Sequence, residues 1–298
     1  VVGEKYVRYD EDTLDQYQTD EEGNPHFFKK PEVVVFPGST EEVASIVKLA
    51  NQYLVPITPR AAGSGVACGA IPIYHGMVVE LERMNKILEL NANAMYAVVQ
   101  TGVYCAQLQE EAKKHGLLYA ADPSSASSSQ VGGNVANNAG GNKAVKYGTT
   151  RNQIYALKVV TPTGDIVDVG ARLQKCSTGL ALEQLFAGSE GTLGIITGAV
   201  LKLFPLPAAT AIAWLSVDSP RAAVRLLGDL QATFGATLTA CELVSDISLG
   251  MVLKHIRGTQ PPLSNSPWYL LVELSGPGEE GALRGALESF LEQALENE

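Results

Sequence analysis

Three segments rich in glycine and small residues constrain this chain more than any other feature. They are Pro59-Arg60-Ala61-Ala62-Gly63-Ser64-Gly65-Val66-Ala67-Cys68-Gly69-Ala70, the stretch 122–150 with its Gly132-Gly133-Asn134 and Asn137-Asn138-Ala139-Gly140-Gly141, and Gly188-Ser189-Glu190-Gly191-Thr192-Leu193-Gly194-Ile195-Ile196. Such segments build no core of their own. They let a backbone approach a partner closely, and successive N–H groups in a concave turn can converge on an anion. The first segment follows a strand, Val55–Thr58, as a dinucleotide fingerprint would. That fingerprint also needs a helix behind the glycines to face the pyrophosphate. Here the following stretch contains Pro72 and Gly76 and alternates like loop and strand, so the Rossmann reading is poor. G-x-x-x-x-G-K-[ST] is absent, which removes a Walker-type loop. The first segment is then a helix-free anion nest or a surface loop of tight turns. The second reads as a lining of amides and N–H donors for a buried polar ligand, or as solenoid-like turns. Glu190, in the third, is a lone carboxylate of the kind that usually stays solvated.

Periodicity supplies the frame around these segments. Residues 1–30 are polar, acidic and aromatic (Tyr6, Tyr9, Tyr17, Phe27, Phe28) and read as an arm. A strand at Val33–Phe36 precedes a capping box, Ser39 with Glu42, and Val43, Ile46, Val47, Ala50 and Leu54 recur at helical spacing. With Val55–Thr58 this makes a small β-α-β unit. Strands are expected at 77–80, 97–100, 156–161, 165–169 and 199–204, a helix over Cys105–His115, and a short helix over Ala181–Phe186. Pro205 and Pro207 then punctuate the chain. Beyond them come a strand over 211–217, a helix from Ser219 and Pro220 to Gly235, a strand over 238–244, a helix over 246–254 and a strand over 268–274. A last helix over 278–297 carries Leu283, Leu287, Phe290, Leu291 and Leu295 on one face. This is a ferredoxin-like pattern lacking its final strand, so the chain is expected to end inside its second domain with one sheet edge unpaired. Val1 in place of Met suggests a processed or trimmed start.

Composition excludes several function classes. Of 298 residues, 46% are hydrophobic and 18% charged, which is globular rather than disordered. The net charge of −10, with no Lys/Arg cluster, argues against a nucleic-acid binder or a polybasic membrane anchor. The most apolar stretch, 191–217, is broken by Lys202, Pro205 and Pro207 and is no membrane span. Cys68, Cys105, Cys176 and Cys241 lie far apart without C-x-x-C, so neither zinc nor a redox dithiol is signalled and a reducing, cytoplasmic setting is expected. His26, His75, His115 and His255 have no ligand spacing, so no metal ligand and no catalytic base is assigned.

The segments keep a particular order: Pro-Arg-x-x-Gly-x-Gly, Asp-Pro-Ser-Ser, Gly-Gly-Asn-Val-Ala-x-Asn-Ala-Gly-Gly, Lys-Tyr-Gly, then Gly-Ser-Glu-Gly-Thr-Leu-Gly-Ile. From about Pro31 to Pro207 this resembles the FAD-linked oxidases of the vanillyl-alcohol-oxidase/PCMH type, in the branch of the glycolate oxidase flavin subunit and the D-lactate or D-2-hydroxyacid dehydrogenases. The resemblance implies an α+β chain: an N-terminal arm (1–30), a PCMH-type FAD-binding domain of two α+β subdomains (31–207), and a partial ferredoxin-like cap domain (208–298). It implies that Arg60, Ala61, Ala62, Gly63, Ser64, Gly65 and Val66 bind the FAD pyrophosphate through main-chain N–H groups. Pro123 and Ser124 would lie against the flavin and ribityl region, and Gly132, Gly133, Asn137, Gly140 and Gly141 along the cofactor. Tyr147 and Gly148 would complete the floor, with Glu190, Gly191, Gly194, Ile195 and Ile196 at the adenosine end. Ser64 stands where covalently flavinylated relatives carry histidine, which implies non-covalent FAD. The usual Gly-Tyr-Asp before the third motif reads Gly179-Leu180-Ala181.

The implied activity is oxidation of a small-molecule 2-hydroxy acid, glycolate or D-lactate in type. Hydride would pass to flavin N5 and electrons to a separate acceptor protein of iron–sulfur or electron-transferring-flavoprotein type. Relatives in this branch also carry a His-x-Asp-Gly-Asn-x-His-like motif and a catalytic histidine that nothing here matches. Two other readings stand beside it: a flavin-binding scaffold or fragment without turnover of its own, and an oxidase of the same fold acting on another alcohol.

Overall fold

The computed structural model describes residues 1–296, which fall into two compact units. The first unit comprises residues 1–141 and 149–205 and contains two main sheets. The strands Val7–Arg8, Val33–Val35, Met77–Glu80 and Ile57–Arg60 lie side by side in that order. The first pair is antiparallel and the others are parallel. The expected β-α-β unit is present, but Met77–Glu80 slots between its two strands, a long-range pairing that no local pattern encodes. The second strand of that unit begins at Ile57 rather than Val55, because Leu54 caps the helix in the left-handed region and Val55 N still donates to Ala50 O.

The second sheet is antiparallel throughout and runs Ile87–Asn91, Tyr96–Gln100, Ile195–Lys202, Ile154–Val160, Ile166–Gly170. The helix Thr40–Tyr53 turns Val43, Ala44, Ile46 and Val47 into a core shared with Val35 and Val79 of the first sheet and Val160 and Ile195 of the second. A buried hydrogen bond, Thr40 Oγ1 to Thr197 Oγ1 at 3.0 Å, joins the same helix to the second sheet. The helix Cys105–Lys114 covers the other core with Cys105, Leu108 and Ala112. The Gly-rich stretch contributes too: Val131–Ala136 is a short helix whose Val131 and Val135 are buried there.

The second unit comprises residues 142–148 and the chain from Leu206 onward. Its strands Ala209–Val217, Trp268–Gly276 and Leu238–Ser245 pair antiparallel in that order, first–third–second along the chain. The helices Pro220–Phe234 and Glu280–Glu296 cover the sheet, with Ala223, Leu230, Leu274 and Leu287 buried between and Phe234 edge-on to Phe290 at 5.4 Å. Leu295, placed on the apolar face by its spacing, is 75% exposed, so that face stops at Leu291. Asn297 lies outside the described residues.

Ser39 Oγ accepts from Glu42 N at 3.2 Å, the cap the sequence calls for. Glu42 reaches back to Gly38 N at 2.7 Å, one residue before the usual target. Ser39→Ala should therefore lower stability by about 1 kcal/mol, read as a shifted denaturant midpoint with unchanged slope. An unmoved midpoint would show that Glu42 alone holds this end.

Candidate functional site

In the first unit, the strand Ile57–Arg60 ends and the Gly-rich loop turns into a cleft of ≈ 400 Å³. The loop forms one wall. The helix Val131–Ala136 forms another through Gly132, Gly133, Asn134 and Ala136, and the segment Glu190 to Ile196 forms the third. That last segment hangs on the helix: Gly188 N donates to Val135 O and Glu190 N to Ala136 O.

The loop's polarity is directional. The Gly63 and Gly65 carbonyls both accept from Glu21 N, at 3.1 and 3.2 Å. Among the described residues, none accepts a hydrogen bond from the main-chain N–H groups of Ala62 to Ala67. A run of unpaired N–H donors in the wall of a cleft can serve as a cradle for an anion. Small side chains leave it open, since a Cβ placed on Gly65 would meet nothing within 4 Å. Gly63 differs. Its φ is +68° and a Cβ there would lie 2.2 Å from Arg60 Nη2, so glycine is needed for the fold of the loop rather than for space in the cleft. These features fit a diphosphate.

Of the residues singled out from the sequence, Arg60, Ala61, Ala62, Gly63, Ser64, Gly65, Val66, Gly132, Gly133, Asn137, Glu190, Gly191, Gly194, Ile195 and Ile196 line this one cleft. Pro123 and Ser124 do not; they open the turn that carries Ser125, which does. Gly141 lies behind that turn, where a Cβ would sit 2.2 Å from Asp122 O, and Gly140 precedes it next to the lining residue Ala139. Tyr147 and Gly148 end the short helix Ala144–Tyr147 of the second unit, beside an ion pair of Lys143 with Glu273. Asn137 donates its side-chain amide to Gly133 O at 2.9 Å, closing the helix end as well as lining the cleft. The sequence reading missed Asp20 and Gln130. Gln130 is 2% exposed with Oε1 unpaired among the described residues, and its place directly before Val131-Gly132-Gly133 was the available signal.

Comparison with known proteins agrees with this geometry. Residues 31–170 match the FAD binding domain family, and residues 206–298 match the C-terminal domain family of FAD linked oxidases. The chain belongs to the PCMH-type FAD-linked oxidases. FAD is the cofactor of this family's binding domain. The chain is 38% identical over 284 residues to a D-2-hydroxyglutarate dehydrogenase of Stutzerimonas stutzeri, covering 95% of this chain and 60% of the relative. It is 49% identical over 178 residues to a D-lactate dehydrogenase of Anaerostipes hadrus, covering 60% of this chain and 37% of the relative. The chain thus spans less than two thirds of the length of either. An alkyldihydroxyacetonephosphate synthase structure shares the fold, with a TM-score of 0.79 and 24% identity over 99% of this chain and 57% of its own. No helix among the described residues is long and apolar enough to cross a membrane.

The electrostatics beneath the cradle come from a buried pair. Arg60 and Glu80 are 9% and 3% exposed, with Nε to Oε2 at 3.9 Å. Burial pushes the Glu80 carboxyl up to about 8, against the pull of Arg60 and with a further push from Glu82. At neutral pH Glu80 is therefore largely neutral, and the Arg60 charge below Gly63 is left to act on the cleft. Folding keeps a proton on Glu80 that the unfolded chain, near 4.5, has lost. This contribution to stability is full below about 4.5 and is lost as pH rises through about 8. The fall in thermal midpoint between pH 5 and pH 8 should be shallower in Glu80→Gln than in the native chain. Equal slopes would mean that Glu80 is ionised throughout.

Proposed function

We propose that the cleft holds FAD non-covalently and that the protein oxidises a 2-hydroxy acid of the D-lactate, D-2-hydroxyglutarate or glycolate class, passing the electrons to a separate acceptor. The observation that carries this reading is the run Ala62 to Ala67, which lines a cleft inside an FAD-binding family domain and whose main-chain N–H groups have no acceptor among the described residues. When bound, the flavin supplies a hydride acceptor at N5. The chain's own residues bind and orient. The loop N–H groups hold the diphosphate, and Arg60 adds a fixed positive charge below them. Leu81, Ile195 and Ile196 offer apolar edges to flat rings, and Glu190, whose carboxylate lies beside Gly69, faces the adenosine end. The binding domain is taken as 31–207 and the cap as 208–298. The substrate class is supported by the names of the relatives, and a reducing cytoplasmic setting by four cysteines that are all free thiols.

Ser64 offers no nucleophile of the kind that tethers flavin, so acid precipitation should release all yellow colour to the supernatant; colour retained in the pellet would overturn non-covalent binding. Gly65→Val should abolish FAD binding while leaving the fold intact, because its side chain enters open cleft space. Full flavin occupancy in that variant would place FAD elsewhere. Anaerobic titration of the holoprotein with D-lactate, D-2-hydroxyglutarate and glycolate should bleach the flavin with at least one of them, and no bleaching by any would remove the substrate class.

A further inference from the structure

Asp20 belongs to the stretch read from the sequence only as an arm, yet it lines the cleft. The arm is fastened there by three contacts. Arg60 Nη1 donates to Thr19 O at 2.7 Å, Glu21 N donates to the Gly63 and Gly65 carbonyls, and the Arg60 guanidinium lies 5.0 Å from the centre of the Tyr17 ring. Asp20 sits between these anchors and is 7% exposed. Its Oδ1 accepts from Glu22 N at 3.1 Å, which shapes the turn. Its Oδ2 is buried and has no partner among the described residues.

A buried carboxylate oxygen without a donor is costly unless a ligand supplies one. We propose that Asp20 is a cofactor-binding residue whose Oδ2 accepts a hydrogen bond from a sugar hydroxyl of FAD next to the diphosphate, making the N-terminal arm part of the cofactor site. This rests on the reading that the cleft holds FAD. The carboxylate would repel the diphosphate itself, so its partner must be a neutral donor. The groups flanking a diphosphate in FAD that meet this requirement are the hydroxyls of the adenosine ribose and of the ribityl chain. The loop N–H groups and the Asp20 carboxylate then select opposite features of one ligand, an anion and the hydroxyl beside it.

The test measures FAD and ADP affinity, by flavin fluorescence quenching and by calorimetry, for the native chain, Asp20→Asn and Gly65→Val. The thermal midpoint of each apoprotein is recorded alongside. Asn keeps an oxygen for Glu22 N but replaces the charged acceptor with an amide. Asp20→Asn should bind FAD roughly tenfold more weakly, the loss of one charge-assisted hydrogen bond, with its apoprotein midpoint unchanged. An equal loss for ADP places the donor on the adenosine ribose, and a loss for FAD alone places it on the ribityl chain. FAD affinity within about twofold of native would overturn the assignment. So would a loss matched by a lowered apoprotein midpoint, since a turn residue alone would give that. If Gly65→Val binds FAD as the native chain does, the cleft is not the FAD site; if only Gly65→Val loses binding, the cleft reading stands and the Asp20 assignment falls.

Discussion

The Arg60 guanidinium is the hub on which the candidate site depends. It lies under Gly63, donates to Thr19 O and to Ala70 O at 3.3 Å, stacks near Tyr17 and faces Glu80. Those contacts join the arm, both ends of the Gly-rich loop and the strand Met77–Glu80. A fork of fixed donors suits this role, because one planar group can satisfy several carbonyls at once while keeping its charge. Removing it would leave the Thr19 and Ala70 carbonyls without this donor, the costly side of the hydrogen-bond asymmetry. The Gly63, Gly65 and Ala70 carbonyls of the loop are occupied from the arm and from Arg60, which leaves its N–H groups for the cleft.

The arrangement of charge follows from burial. Glu80 is kept largely protonated by its surroundings, so the pair does not cancel to zero beneath the cradle. The Arg60 guanidinium lies below Gly63, within reach of the Asp20 carboxylate's field as well as that of Glu80. Asp20 and Glu190 sit in the walls of the same cleft. The small residues do spacing work that charge cannot. Gly141 lets the backbone at Asp122 approach closely, and Ala61 and Ala62 leave the mouth of the loop clear.

Much of this was legible in the sequence. Helix Thr40–Tyr53 announces itself by Ser39 and by Val43, Ile46, Val47 and Ala50 at helical spacing, and Ser219-Pro220 and Gly235 bracket the helix Pro220–Phe234. These are local signals, carried by residues three or four apart. The cofactor-facing roles of the Gly63-x-Gly65 loop, Gly132-Gly133 and Glu190-Gly191 come from the resemblance that their order carries, and the structure brings them to one cleft. The short helix Val131–Ala136 was not legible, since two glycines and an asparagine oppose helix in isolation and only the burial of Val131 and Val135 stabilises it.

What the sequence by itself determined is the set of turns, caps and apolar faces, and the ordered Gly-rich motifs that resemble those of the PCMH-type FAD-linked oxidases. The tertiary structure decided which of those pieces meet. It inserted Met77–Glu80 between two strands that are consecutive in sequence, and it folded Tyr147 and Gly148 with the second unit. It also turned Gly63 toward Arg60 and Gly65 toward open space, although the two glycines look alike in the chain, and it folded the arm back so that Asp20 reaches the cleft. The physical reason is common to all four. Spacing along a chain reports contacts within a few residues, whereas strand order, burial and the direction of a Cβ are settled by groups tens of residues away competing for the same space and the same hydrogen bonds.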